Sequence, residues 1–219
     1  MLLESVRNYE DLSAVGASKL FGAVMERLAR GERFNLGLAT GNTMIELYRI
    51  LADRFNAEGV DLSRLQTWNL DEYAADEHHA VPHDHPLSYW SYMHRQLFSR
   101  FAPERSFREE QAHFPDPSDP GKFDRELEKA GGLDLQLLGI GFNGHIAFNE
   151  PEDPATISVA DFGSLPTRVL PLTQETIAQN TKVTANGDSS LVPRFAATTG
   201  MKPFLAAKQE LLLACVAEQ

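Results

Sequence analysis

The sequence predicts an α/β fold, a mostly parallel sheet with helices on both faces. Three observations carry this expectation. Short apolar runs at residues 34–39, 65–70 and 133–140 alternate along the chain with amphipathic helical patterns. The run at 133–140, LDLQLLGI, is apolar almost throughout, the mark of a strand buried on both faces rather than one. Glycines and polar residues gather where these runs end: Thr40-Gly41-Asn42-Thr43, Asp71-Glu72, and Gly141 through Glu150. Ligands of open α/β sheets bind at the carboxyl ends of the strands.

Taken in order, Asp11 and Ser13 are N-cap candidates for a first helix. Its apolar face is Ala17, Leu20, Phe21, Val24 and Leu28, and Gly31 ends it. After the strand at 34–39, a second helix places Met44, Leu47, Tyr48 and Leu51 on one face. The strand at 65–70 runs into Asp71, and a third helix is expected over 86–101, with Pro86 in its first turn. Residues 102–120 read as a long surface connection. Asp119 starts a helix that stops at Gly131-Gly132, and the strand at 133–140 follows. Residues 152–166 read as irregular, 168–172 as a strand, 173–182 as a helix capped by Thr173, and 186–190 as a polar loop. Residues 195–199, 202–207 and 210–216 read as strand, short helix and final apolar strand.

The 219 residues suffice for one large domain, and 42% hydrophobic with 23% charged residues is ordinary for a globular chain. A net charge of −11 argues against nucleic acid as a partner, because a phosphate backbone demands a basic surface. No apolar run has the length of a membrane span, and the start has no basic-then-apolar leader pattern. The lone Cys215, in LLLACV, reads as a buried small hydrophobe. Together these place the chain in the cytoplasm.

Three stretches have the residue types of a catalytic site. Strand, small-residue loop and helix at 34–51 form a phosphate-binding arrangement, with loop amides and a helix N-terminus facing an anion; a plain tight turn capped by Thr43 fits the spacing equally well. Adjacent carboxylates Asp71 and Glu72 at a strand end suit a base, or an Asx turn. His145 can move protons near neutral pH, with Asn149 and Glu150 close behind it, or can be a hydrogen-bonded core histidine. The loop 74–86 holds His78, His79, His83 and His85 among acids. Its spacing matches no common ligand pattern, so it reads as a solvated loop or lid and no metal is expected.

Together, the motifs Leu38 to Thr43, Asn69-Leu70-Asp71-Glu72-Tyr73, His85-Pro86-Leu87-Ser88-Tyr89, and Gly139 to Pro151 ending in GHIAFNEP resemble the glucosamine-6-phosphate deaminase/isomerase family, in order and spacing. The resemblance runs from about Tyr9 to the end. GHIAFNEP is its most specific part and separates the chain from the related 6-phosphogluconolactonases. It implies a three-layer αβα sandwich with a mostly parallel, Rossmann-like sheet. The implied activity converts glucosamine 6-phosphate to fructose 6-phosphate and ammonia, without cofactor. By resemblance, Asp71 moves a proton between C2 and C1, His145 opens the sugar ring, and Glu150 with Asn143 supports His145. Thr40, Gly41, Asn42, Thr43, Glu72, Gly144 and Lys182 bind the sugar phosphate.

The chain departs from the family pattern at several positions. Asn143 stands where some members have aspartate, Asn42 where a second glycine is usual, and Lys182 where arginine is common. Of the effector-binding basic pair, Arg168 is kept and Leu170 replaces the second member, which argues against allosteric activation. The expected single domain, 1–219, lacks the family's C-terminal strand and helix. A paralogue acting on galactosamine 6-phosphate, a sugar-phosphate lactonase and a non-catalytic sugar-phosphate sensor are the alternatives. The oligomeric state, monomer or homo-oligomer, is open.

Overall fold

The computed structural model describes residues 2–215. Helix α1 (Tyr9–Leu28) is capped by Asn8, whose side chain accepts from the Asp11 N–H, and not by Asp11 or Ser13. Asp11 and Glu10 lie instead in the first turn, where the helix dipole favours acids, and Ser13 is buried inside the helix. Strand β1 (Phe34–Leu38) leads through a 3-10 turn (Asn42–Met44) into α2 (Ile45–Ala57). Strand β2 (Leu65–Asn69) is followed after one residue by β3 (Asp71–Ala74). Helix α3 (Tyr89–Gln96) starts three residues later than expected, because the Ser88 side chain caps it by accepting from the Ser91 N–H. Pro86 lies in the turn before it, and a 3-10 turn (Phe98–Arg100) follows.

The connection at 102–120 contains a short strand, β4 (Ala112–His113), beside Thr67 and Trp68. Two residues are too few to give a periodic signal. The Gln111 amide holds this segment by donating to the Leu62 and Leu65 carbonyls. Helix α4 (Pro120–Lys129) has Asp119 as its cap, and β5 (Leu135–Gly139) follows. The stretch expected to be irregular contains α5 (Val159–Gly163), capped by Ser158. Then come β6 (Arg168–Pro171), α6 (Gln174–Val183) capped by Thr173, β7 (Phe195–Thr198), α7 (Met201–Leu205) and β8 (Glu210–Leu213). The last strand is shorter than 210–216, and Val216 lies outside the described residues. Cys215 is half-buried rather than buried.

The main sheet has the order β4-β2-β1-β5-β8 and is parallel throughout. On one face Leu36 and Leu38 of β1 meet Leu20 and Val24 of α1 and Leu47, Leu51 and Phe55 of α2, all in one buried cluster. On the other face Trp68 packs edge-on to Phe123 of α4, with ring centroids 5.3 Å apart, beside Leu127 and Leu133. Helices therefore cover both faces. A second sheet, β3-β7-β6, is antiparallel. It has its own apolar cluster of Tyr73, Phe148, Leu172, Ile177 and Ala196. The expected strands at 168–172 and 195–199 belong to this smaller sheet. Leu70 joins the two: its N–H donates to the Leu38 carbonyl, and its carbonyl accepts from the Thr199 N–H and hydroxyl. No described helix is long and apolar enough to cross a membrane.

Candidate active site

The carboxyl ends of β2, β1 and β5 are neighbours in the sheet, with Leu38 paired to Asn69. Two strand spacings separate β2 from β5, on the order of 10 Å. Asp71 follows β2, the loop 40–43 follows β1, and Gly141 to Glu150 follows β5. The three sequence stretches thus converge on one edge.

The loop after β1 is built around Gly41, whose φ of 119° and ψ of 165° are open to glycine alone. Two tyrosines fix it. The Tyr92 hydroxyl donates to the Gly41 carbonyl at 2.7 Å and the Tyr9 hydroxyl to the Asn42 carbonyl at 3.0 Å. Tyr9 also accepts from the Glu46 N–H. Thr40 hydrogen-bonds Tyr89. With its carbonyls held by tyrosines, the loop enters α2 as an exposed turn at Gly41 and Asn42. Such a turn at a helix start can face an anion with N–H groups.

Asp71 is 5% exposed, and its Oδ1 is sealed from solvent with no hydrogen-bond partner. Burial, together with the neighbouring Glu72 charge, pushes its pKa up to about 8. Glu72 is also buried, but both its oxygens are occupied. They accept from the Tyr73, Tyr89 and Trp90 N–H groups, each at 2.8 Å, and from the Ser88 hydroxyl at 3.1 Å. Its carboxylate thus meets the start of α3, with both oxygens taken up by these donors.

His145 sits over Gly141. A Cβ at Gly141 would fall 2.2 Å from the imidazole Nε2, so only glycine permits this ring position. The Gly141 N–H donates to the His145 carbonyl, and Gly144, with φ of 92°, closes the turn. His145 Nδ1 lies 3.5 Å from Glu150 Oε2, an ion-pair distance without an aligned hydrogen bond. Burial lowers the His145 pKa, and the Glu150 charge opposes that shift without cancelling it. Asn143 does not reach the imidazole. Its amide donates to Glu150 Oε2 at 2.6 Å and its oxygen accepts from the His145 N–H at 3.2 Å. The other Glu150 oxygen accepts from the Thr176 and Thr173 hydroxyls at the start of α6. Burial raises the Glu150 pKa, but the hydrogen bonds from Thr176 and Asn143, the His145 charge and Thr173 together hold it below the ordinary value.

Residues 7–185 match the family described as glucosamine-6-phosphate isomerases/6-phosphogluconolactonase. The chain belongs to this family. Among curated relatives, a glucosamine-6-phosphate deaminase of Rhodopirellula baltica is 38% identical over 97% of this chain and 78% of its own length. Glucosamine-6-phosphate deaminase 2 of Bacillus subtilis is 34% identical over 97% of this chain and 79% of its own length. Among solved structures, a monomeric glucosamine-6-phosphate deaminase superposes with a TM-score of 0.81 at 29% identity, over 97% of this chain and 81% of that one. The 6-phosphogluconolactonase of Leishmania guyanensis, at 16% identity over 96% of this chain and 80% of that one, shares the fold with a TM-score of 0.67.

In this member of the glucosamine-6-phosphate isomerase family, Asn149 is structural. It donates to the Thr199 carbonyl and accepts from Arg168, while the Phe148 N–H donates to the Thr198 hydroxyl. The GHIAFNEP segment is thereby stitched to β7. Lys182 stands exposed in the last turn of α6, six residues beyond Thr176 and so about 9 Å further along the helix axis. The histidine loop is spent locally: His79 pairs with Asp76, His83 stacks on Trp90, and His85 accepts from the Leu87 N–H. Among the described residues no group of three or more His, Cys, Asp or Glu side chains is placed to hold a metal ion. Cavities of about 250 and 380 Å³, around Pro151 to Phe162 and around Arg168 to Pro171, involve none of the convergent polar groups.

Sequence reasoning missed Tyr9, Tyr92, Ser88 and Thr176. Thr176 had a signal: a hydroxyl one turn after the Thr173 cap puts two donors on one end of α6. The tyrosines had none, because their contacts with Gly41 and Asn42 span 51 and 33 residues.

Proposed function

We propose that the chain is an amino-sugar-phosphate deaminase/isomerase that converts glucosamine 6-phosphate and water to fructose 6-phosphate and ammonia. The observation that carries this reading is the unpartnered, buried carboxylate of Asp71 two strands away from a His–carboxylate pair at the same sheet edge. A sugar spanning that gap meets a base at one end and a proton shuttle at the other. His145, held by Glu150, takes the C1-hydroxyl proton and delivers it to the ring oxygen as the bond between C1 and that oxygen breaks, which opens the pyranose to its aldehyde. Asp71 removes the C2 proton, acidified by the adjacent carbonyl, and returns it to C1. The C1 oxygen takes up a proton and the amino nitrogen gives one up, leaving an imine at C2, which water hydrolyses to the ketone with release of ammonia. Gly41, Asn42 and Thr43 take the phosphate at the start of α2, and Lys182 is its basic partner on α6. Asn143 serves by orienting Glu150, since the charge that faces the imidazole is carried by Glu150 alone.

The test offers glucosamine 6-phosphate, galactosamine 6-phosphate and 6-phosphogluconolactone to the purified protein. Ammonia release from the first sugar with little from its epimer is the expected result. Lactone hydrolysis without ammonia release, or sugar binding without turnover, would replace this reading by the lactonase or the sensor. A second expectation concerns Gly141→Ala. The added methyl displaces the His145 ring, a side chain that can give way without moving backbone. Turnover should fall at least tenfold while the melting temperature shifts by no more than about 1 kcal/mol of stability implies. Unchanged turnover would remove His145's fixed position from the mechanism.

A further inference from the structure

Asp71 and Glu72 are consecutive, both buried, and treated oppositely by the fold. Successive side chains of a strand point to opposite faces, so the two carboxylates of β3 leave the backbone in opposite directions. Glu72 reaches the N-terminus of α3 and collects four donors: the N–H groups of Tyr73, Tyr89 and Trp90 and the hydroxyl of Ser88. The positive end of the α3 dipole adds to them. Asp71 Oδ1 collects none. A carboxylate surrounded by donors is favoured ionised, and one without them keeps its proton. Where two close carboxylates share a buried site, the better-donated one takes the charge and raises the proton affinity of the other.

The titratable groups whose charge couples to Asp71 are Glu72, across the strand, and Tyr73 and Tyr89. Burial pushes both phenols above their ordinary range, so they stay neutral near pH 7. That leaves Glu72 as the charge Asp71 senses. Burial also raises Glu72, but its hydrogen bonds from Trp90, Tyr89, Tyr73 and Ser88 resist the rise, and nothing comparable acts on Asp71. The same helix steadies the ligand loop, through the Tyr92 hydroxyl on the Gly41 carbonyl and the Tyr89–Thr40 hydrogen bond.

We propose that Glu72 is a positioning residue for the proton transfer, an anion fixed by α3 that makes Asp71 a stronger base from the opposite face of β3. This rests on the reading of Asp71 as the base. Glu72 touches no substrate and acts only through its charge and through the placement of β3 against α3.

The test titrates both carboxyls in the full chain without substrate, by the carboxyl carbon resonances of labelled aspartate and glutamate. In the unaltered protein Glu72 should be ionised across the pH range in which Asp71 gains its proton. The reverse order overturns the proposal. In Glu72→Gln the Asp71 midpoint should fall by at least one pH unit, a tenfold loss of proton affinity, and the acidic limb of kcat/KM for ammonia release should move with it. A Glu72 that only holds α3 in place would change stability and leave the midpoint where it is, which also overturns the proposal. The titration of the unaltered protein decides the matter even if the variant does not fold. Ammonia release that survives Asp71→Asn would instead sink the reading of Asp71 as base, while the two midpoints still report the coupling.

Discussion

Asp71→Asn is expected to lower ammonia release from glucosamine 6-phosphate by about 10²–10⁴-fold, the usual contribution of a positioned general base. The same change should stabilise the fold at alkaline pH. The carboxyl titrates near 8 in the folded chain and about 3.9 when exposed. Between these values the folded protein binds the proton more tightly than the unfolded chain, so stability falls as pH rises through this window. Above pH 8 the full cost of a buried, unpartnered charge is present; near pH 4 it is absent. Asparagine removes that cost, and the gain should be about 1–3 kcal/mol at pH 8.5 with little change at pH 4. Thermal melts at the two pH values check it. In the unaltered protein, kcat/KM should climb as pH rises toward 8, because more of Asp71 is ionised. Equal melts of the two proteins at pH 8.5 would mean that Asp71 is solvated in the folded state.

Glu72→Ala is expected to cost about 3–5 kcal/mol, because it orphans one buried and two half-buried N–H groups and a buried hydroxyl at once. Each donor would otherwise meet water only by unpacking the start of α3. Denaturant unfolding of the variant measures this. The contrast with Asp71 is the informative part: two neighbouring carboxylates, of which one removal should stabilise and the other should not. A loss under 1 kcal/mol would mean that water replaces the carboxylate at the helix end.

The parallel sheet was legible from its central strands, which are mostly apolar, β5 ending in glycines at Gly139 and Gly141. The candidate site edge was legible because glycines, carboxylates and a histidine gather just past the ends of β1, β2 and β5. Helix starts were misplaced where two good caps compete within a few residues. Asn8 took the place expected for Asp11 or Ser13, and with Ser88 as cap α3 begins at Tyr89 rather than at Pro86. The small antiparallel sheet was not legible, because Arg168–Pro171 and Phe195–Thr198 show strand character without showing which partner they pair with. At Glu72 the residue type suggested a base or an Asx turn; strand alternation turns it to the face opposite Asp71, where its oxygens meet the N–H groups that begin α3. The Asn143 departure had the converse outcome. Asparagine serves there because its target is a carboxylate, which needs a donor.

Leu70 is a single residue between two strands that belong to different sheets, held by Leu38 on one side and Thr199 on the other. The faces of Asp71 and Glu72 are therefore fixed by residue count. Losing or gaining one residue between Asn69 and Asp71 would leave composition almost untouched, yet it would interchange the inner and outer faces of everything in β3. Glu72 would then leave the start of α3 for the face that Asp71 now occupies, and Asp71 would turn toward α3. Diversification of this segment is confined to substitution at constant length, whereas the connection at 152–166, which pairs with no strand, is free to grow or shrink.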